Sequence, residues 1–188
     1  MLIVGDSLSA EYGLKRGTGW VPLLSQALAA DKLEAKLTNA SISGETTSGG
    51  AQRINKLLGD HKPSIVVIEL GGNDALRGLA LAKTEQNLRA MVQAAKRSKA
   101  RVLLLGMQIP PNYGPDYSAK FAAVFKSVAD SEKVALVPFF LSGVGDAPNA
   151  AELFQSDRIH PNEKAQMRMM QNVLPALKPL LIASLPPK

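Results

Sequence analysis

Three side chains suited to acyl transfer stand at opposite ends of this 188-residue sequence. Gly5-Asp6-Ser7-Leu8-Ser9 follows the apolar run Met1–Val4. Ser7 is therefore expected at the carboxyl end of a first strand, where its hydroxyl can project into a cleft. Near the other end, Asp157-Arg158-Ile159-His160-Pro161 puts a carboxylate one turn of chain before one of only two histidines. At that spacing Asp157 can accept from one imidazole nitrogen and fix the tautomer, so that the other nitrogen faces Ser7 as general base. Each segment alone has a plainer reading. Gly-Asp-Ser is ordinary turn and helix-cap chemistry, and an Asp and a His in a loop usually form a surface turn before a helix. The G-x-S-x-G elbow is absent, because Ser9 stands where its second glycine would be. The other histidine, His61, lies in the polar connection Gly59-Asp60-His61-Lys62-Pro63, where no role is expected of it.

Acyl transfer also needs donors aimed at the oxyanion, and losing one typically costs about a hundredfold to a thousandfold in rate. Two segments offer them. In Ser41-Ile42-Ser43-Gly44-Glu45-Thr46-Thr47, Gly44 lets a backbone N–H approach a ligand closely. In Gly71-Gly72-Asn73-Asp74, the Asn73 amide can donate from its side chain. Both segments are also good loops and turns. Together with Ser7, Asp157 and His160 they are specific, since each follows a different core element.

The elements that must position these residues follow from alternating apolar and amphipathic stretches, the pattern of repeated βα units around a mostly parallel sheet. The spacing predicts strands at Met1–Val4, Ala35–Ala40, Ile65–Leu70, Val102–Met107 and Ala135–Val137. It predicts helices at Val21–Ala30, Ala51–Leu58, Thr84–Lys96 and Ala119–Ser131, with a last helix beginning near Pro161 and kinked or ended by Pro175. Apolar runs such as Ile65–Leu70 imply strands covered on both faces, hence an α/β three-layer sandwich with its ligands beyond the carboxyl ends of the strands. Residues 1–188 are expected to form one domain. Ile109–Pro115 and Ser142–Asn149 read as long functional or flexible loops within it.

Composition narrows the classes. With 46% hydrophobic residues and no cysteine, the core rests on packing, without disulfides or thiolate metal sites. Lysines and arginines giving the formal charge of +6 are spread at spacings typical of solvated helix faces. The group Lys96–Arg101 sits where a helix should end and complements its dipole. Gly44 and Gly49 have P-loop spacing, but Gly50-Ala51 replaces the Lys-Ser/Thr that reaches phosphate. A non-catalytic nucleic-acid module lacks a motif, and aromatic content of 5% offers few stacking platforms. Asp6, Asp74, Asp157 and His160 could in principle gather around an ion, although so few histidines argue against a closed zinc site. No run reaches the roughly 20 apolar residues that cross a bilayer. Met1–Val4 reads as the tail of a strand that begins earlier, after a removed leader.

The blocks Gly5-Asp6-Ser7-Leu8, Gly44, Gly71-Gly72-Asn73-Asp74 and Asp157–Pro161 resemble the four conserved blocks of the SGNH (GDSL) hydrolase family, over nearly the whole chain. Gly71–Gly78, Pro111-Asn112-Tyr113-Gly114 and Val137-Pro138-Phe139-Phe140 look most like the bacterial thioesterase I/protease I/lysophospholipase L1 and arylesterase group. The resemblance implies a flavodoxin-like α/β/α sandwich with a five-stranded parallel sheet. It implies Ser7 as nucleophile, with Asp157 and His160 completing a catalytic triad. It further implies an oxyanion hole made by Ser7 N–H, Gly44 N–H and the Asn73 side chain, with no cofactor. Leu76, Leu79, Leu81 and Ile109 are candidates for an apolar acyl site, or for ordinary packing. The expected partner is a small-molecule acyl ester or thioester, with no nucleic acid, no stable membrane insertion and a monomeric chain, in the periplasm or secreted. A carbohydrate acetyl esterase is the alternative. Arg158 departs from the glycine common in the family's last block, and Glu152–Ser156 are not distinctive.

Overall fold

The computed structural model describes residues 1–33, 35–109 and 113–184. Five strands, β1 (Leu2–Gly5), β2 (Thr38–Asn39), β3 (Ile65–Glu69), β4 (Arg101–Leu105) and β5 (Ala135–Val137), pair in parallel in the order β2-β1-β3-β4-β5. Parallel pairing needs long crossovers, and helices supply them: α1 (Trp20–Ala30), α2 (Thr47–His61), α3 (Gly72–Leu76), α4 (Leu81–Arg97), α5 (Pro115–Glu132) and α6 (Glu163–Ile182). α1 packs on α6, while α4 packs on both α2 and α5, so a helical layer covers each side of the sheet. Every residue of β1 and β3 is buried, Glu69 at the end of β3 included, as near-continuous apolar runs require. The strand order reverses between β1 and β3, and the crevice beyond their carboxyl ends is where such sheets bind ligands.

The structure departs from the sequence pattern in five places. β2 is only Thr38–Asn39 within the expected Ala35–Ala40, because this edge strand pairs with β1 alone, through Leu2 and Ile3. α2 begins four residues before Ala51, despite Gly49 and Gly50 in its first turns. Gly50 is required there, since a Cβ would come within 2.4 Å of Leu70 Cδ1 and 2.9 Å of Met91 Sδ. The buried N–H of Thr47, without a partner inside the helix, donates to the Asp74 carboxylate at 2.9 Å. α6 starts after Pro161 rather than at it, with the Asn162 side chain accepting from Lys164 N at 3.0 Å as cap. Pro175 neither ends nor breaks α6, which continues through Pro179 to Ile182. An interior proline costs about 3 kcal/mol. Burial of Met169, Val173, Leu177 and Leu181 opposes that cost, and Arg101 Nη1 donates to the Leu180 carbonyl at 3.1 Å. The predicted turn at Gly71–Asp74 is instead the start of the short helix α3. Pro111 and Asn112 of the Pro111–Gly114 motif lie outside the described residues.

Candidate active site

The turn after β1 carries Ser7 with only 9% of its surface exposed. Its Oγ lies 2.9 Å from His160 Nε2, and His160 Nδ1 lies 2.6 Å from Asp157 Oδ2. The fold thus joins Ser7 to a pair 153 residues away in sequence. With Asp157 ionised, the imidazole proton belongs on Nδ1, leaving a lone pair on Nε2 for the Ser7 hydroxyl. Asp157 stays ionised because its Oδ1 accepts from the backbone N–H of His160 at 3.0 Å and of Ile159 at 2.9 Å. The His160 N–H, then the His160 ring and the Ile159 N–H, hold its pKa down at about 2. This turn needs Arg158 at φ +58°, which explains why a glycine suits the position; the exposed Arg158 side chain points away from the core.

The opposite flank of Ser7 is built by the loops after β2 and β3. Gly44 sits at φ +78°, and its carbonyl accepts from Arg77 Nη2 at 2.9 Å. Asn73, near the start of α3, sends its two Nδ2 hydrogens to Asp6 Oδ2 and to the Glu45 carbonyl, each at 3.0 Å. Asp6 also accepts from Leu8 N at 3.0 Å. Burial pushes the Asp6 carboxyl up to about 6, against the pull of the Leu8 N–H, Glu69, His160 and Asn73.

Asp74 does not join Asp6, Asp157 and His160. It is buried under α2, accepting from the Thr47 hydroxyl at 2.5 Å and the Thr84 hydroxyl at 3.3 Å. Among the described residues no group of three His, Asp or Glu is arranged to hold a metal ion. Of the four apolar candidates, Ile109 is buried in the core and Leu81 packs against it. Leu76 is half-buried at the end of α3, and Leu79 is 41% exposed. His61 is the last residue of α2.

Several contributors have no motif of their own. The Tyr12 ring lies 4.4 Å from the His160 ring, tilted by 40°. Gln155 accepts nothing from the triad side chains, yet its N–H donates to the His160 carbonyl at 2.8 Å and its Nε2 to the Tyr12 carbonyl at 2.9 Å. Arg77 is a third, and the only hint of it in sequence is its place just after the Asn73 block.

Comparison with known proteins gives the family and the fold. The profile of the GDSL-like Lipase/Acylhydrolase family matches residues 3–168. The chain is 53% identical over 181 residues to "Esterase TesA" of Pseudomonas aeruginosa, covering 96% of this chain and 89% of that protein. It is 40% identical over 183 residues to "Thioesterase 1/protease 1/lysophospholipase L1" of Escherichia coli, covering 96% of this chain and 84% of that protein. The crystal structure of the psychrotrophic esterase EstA from Pseudoalteromonas, inhibited by monoethylphosphonate, superposes with a TM-score of 0.89 at 40% identity, covering 96% of this chain and 97% of that one.

Proposed function

This chain belongs to the GDSL-like lipase/acylhydrolase family and is an SGNH-type hydrolase of acyl esters, and on that premise we propose that its acyl-enzyme forms on Ser7. The observation that carries the proposal is the line from Ser7 Oγ through His160 to Asp157. His160 Nε2 takes the Ser7 proton as Oγ attacks the acyl carbonyl, and returns it to the departing alkoxide, phenoxide or thiolate. Water then resolves the acyl-enzyme with the same nitrogen as base. Asp157 stabilises the imidazolium in both halves.

The oxyanion is met by the Ser7 and Gly44 N–H groups and by the Asn73 side chain. Since both Asn73 hydrogens already have acceptors, its donation bifurcates one of these bonds. Leu76 and the exposed Leu79 receive the start of the acyl chain. None of these steps calls for a cofactor.

The substrates proposed are aryl esters, acyl-CoA thioesters and lysophospholipids; the two relatives above are named an esterase and a thioesterase/protease/lysophospholipase. No helix among the described residues is long and apolar enough to cross a membrane. We place the enzyme in the periplasm as a one-domain monomer. Rates on p-nitrophenyl esters from acetyl to palmitoyl, with Ser7→Ala as control, test the reading. It requires rates that climb toward medium or long chains and vanish in Ser7→Ala. Activity on acetyl alone would instead indicate a carbohydrate acetyl esterase, and activity that survives Ser7→Ala would remove the nucleophile.

A further inference from the structure

β3 ends in a carboxyl group that the mechanism above does not use. Glu69 has no exposed surface and pairs in register with Gly5, directly before Asp6 and Ser7. Its Oε2 accepts from Asp6 N at 3.2 Å and from the Ser9 hydroxyl at 2.8 Å; that hydroxyl accepts from Trp20 Nε1 at 3.2 Å. The fit is close, since a Cβ on Gly5 would come within 2.7 Å of Oε2. Oε1 is buried and has no hydrogen-bond partner among the described residues.

An unpartnered carboxylate oxygen in the interior is costly, while a protonated one can donate to a neighbouring acceptor. The Asp6 carboxyl stands next to Glu69 in this network, since the Asp6 N–H donates to Oε2. Two buried carboxyl groups so placed disfavour each other's ionisation. Burial pushes the Glu69 carboxyl well above its usual range, and the Asp6 charge adds to this. Asp6 in turn accepts from Asn73 Nδ2.

We propose that Glu69 serves as a positioning residue, its buried Oε2 holding the Gly5-Asp6-Ser7 turn through the Asp6 N–H and the Ser9 hydroxyl and, through Asp6, aiming the Asn73 amide at the oxyanion. The inference rests on the Ser7 and Asn73 roles given above. It assigns this polar cluster a purpose that filling the same volume with an apolar side chain would not serve.

The test is kcat and KM for p-nitrophenyl butyrate, with the melting temperature, for Glu69→Gln, Glu69→Met, Asp6→Asn and Ser7→Ala. Gln keeps the volume and an oxygen that accepts from the Asp6 N–H and the Ser9 hydroxyl, so its kcat should stay within about threefold of wild type. Met preserves the volume but lacks the donors and acceptors, so its kcat should fall at least about tenfold with KM unchanged, as expected for a misaimed oxyanion donor. That loss should shrink in an Asn73→Ala background, because the aimed group is already gone. Asp6→Asn keeps the shape and removes the charged acceptor, so it too should lower kcat at constant KM, which keeps the test decisive if the Met variant does not fold.

Wild-type kcat in Glu69→Met or Asp6→Asn, equal damage in Gln and Met, or a Met penalty undiminished without Asn73 would each overturn the inference. An active Ser7→Ala would overturn the underlying reading, whereas an inert Ser7→Ala beside a fully active Glu69→Met removes the positioning role alone.

Discussion

Gln155 Nε2 donates to the Tyr12 carbonyl at 2.9 Å, across 143 residues of sequence. This one amide ties the loop that follows Ser7 to the loop that carries His160, and the Gln155 N–H holds the His160 carbonyl at 2.8 Å as well. A shift of about 1 Å between nucleophile and base can cost a hundredfold in rate. Gln155→Leu removes the side-chain donor while the backbone bond survives. Its kcat is expected to fall between about tenfold and a hundredfold, with KM little changed. Steady-state kinetics check this, and a variant with wild-type kcat would show that packing alone holds the two loops together.

Asp157 has a folded-state pKa of about 2, below the roughly 3.9 of an unfolded aspartate. Its contribution to stability is therefore present above about pH 4 and lost as pH falls through about 2. At every pH used for assay it is a carboxylate, so Asp157 adds no proton of its own to the acid limb of log(kcat/KM). Asp157→Asn leaves His160 without its anionic partner and should lower kcat by about 10³- to 10⁴-fold. A mild Asn phenotype would contradict the assignment.

Arg158 occupies the left-handed region at φ +58°, which costs a non-glycine residue roughly 1 kcal/mol. The greater freedom of glycine in the unfolded chain offsets part of the gain from relieving it. Arg158→Gly is expected to raise the melting temperature by about 1–3 °C for a chain of this length, with kcat within about twofold of wild type because the side chain is exposed. Thermal denaturation beside a rate measurement decides it, and a lower melting temperature would mean that the arginine makes a compensating contact.

Glu69 carries a raised pKa, chiefly from burial, so the sign is opposite to that of Asp157. Stability is greatest below the unfolded value, roughly 4.3, and declines as pH rises toward the folded value. Asp6, raised to about 6, contributes a decline of the same sign at lower pH. The groups around Glu69 are Asp6, Ser9 and Trp20, with His160 acting on Asp6. Glu69→Gln removes the Glu69 contribution, so as pH rises from about 4.3 its melting temperature should decline less than that of wild type. Parallel curves over that rise would show that Glu69 does not titrate on unfolding.

Much of the architecture was legible because it depends on local, repeating features. Apolar runs such as Ile65–Ile68 read as strands covered on both faces, and such runs separated by amphipathic stretches point to a parallel sheet between helices. The residues that meet at Ser7 were legible for the same reason: Ser7, Gly44 and Asn73 each follow a strand, and the ends of parallel strands share an edge. Asp157 and His160 declared themselves by spacing within one turn.

What the sequence did not determine lies in contacts whose energy is paid by a distant partner. Asp74 reads as part of a turn until its carboxylate is found on Thr47, lengthening α2 through a glycine pair that alone would not favour a helix. Pro175 reads as a helix end until the buried face of α6 outweighs its missing hydrogen bond. Glu69 was counted as one more residue of an apolar strand, and nothing in its neighbours signals a buried acid beneath the nucleophile. Periodicity and spacing are sums over near neighbours and survive in one dimension. Burial, the pairing of carboxyl groups and the aim of an amide depend on which residues the folded chain brings together, so only the tertiary structure decided them.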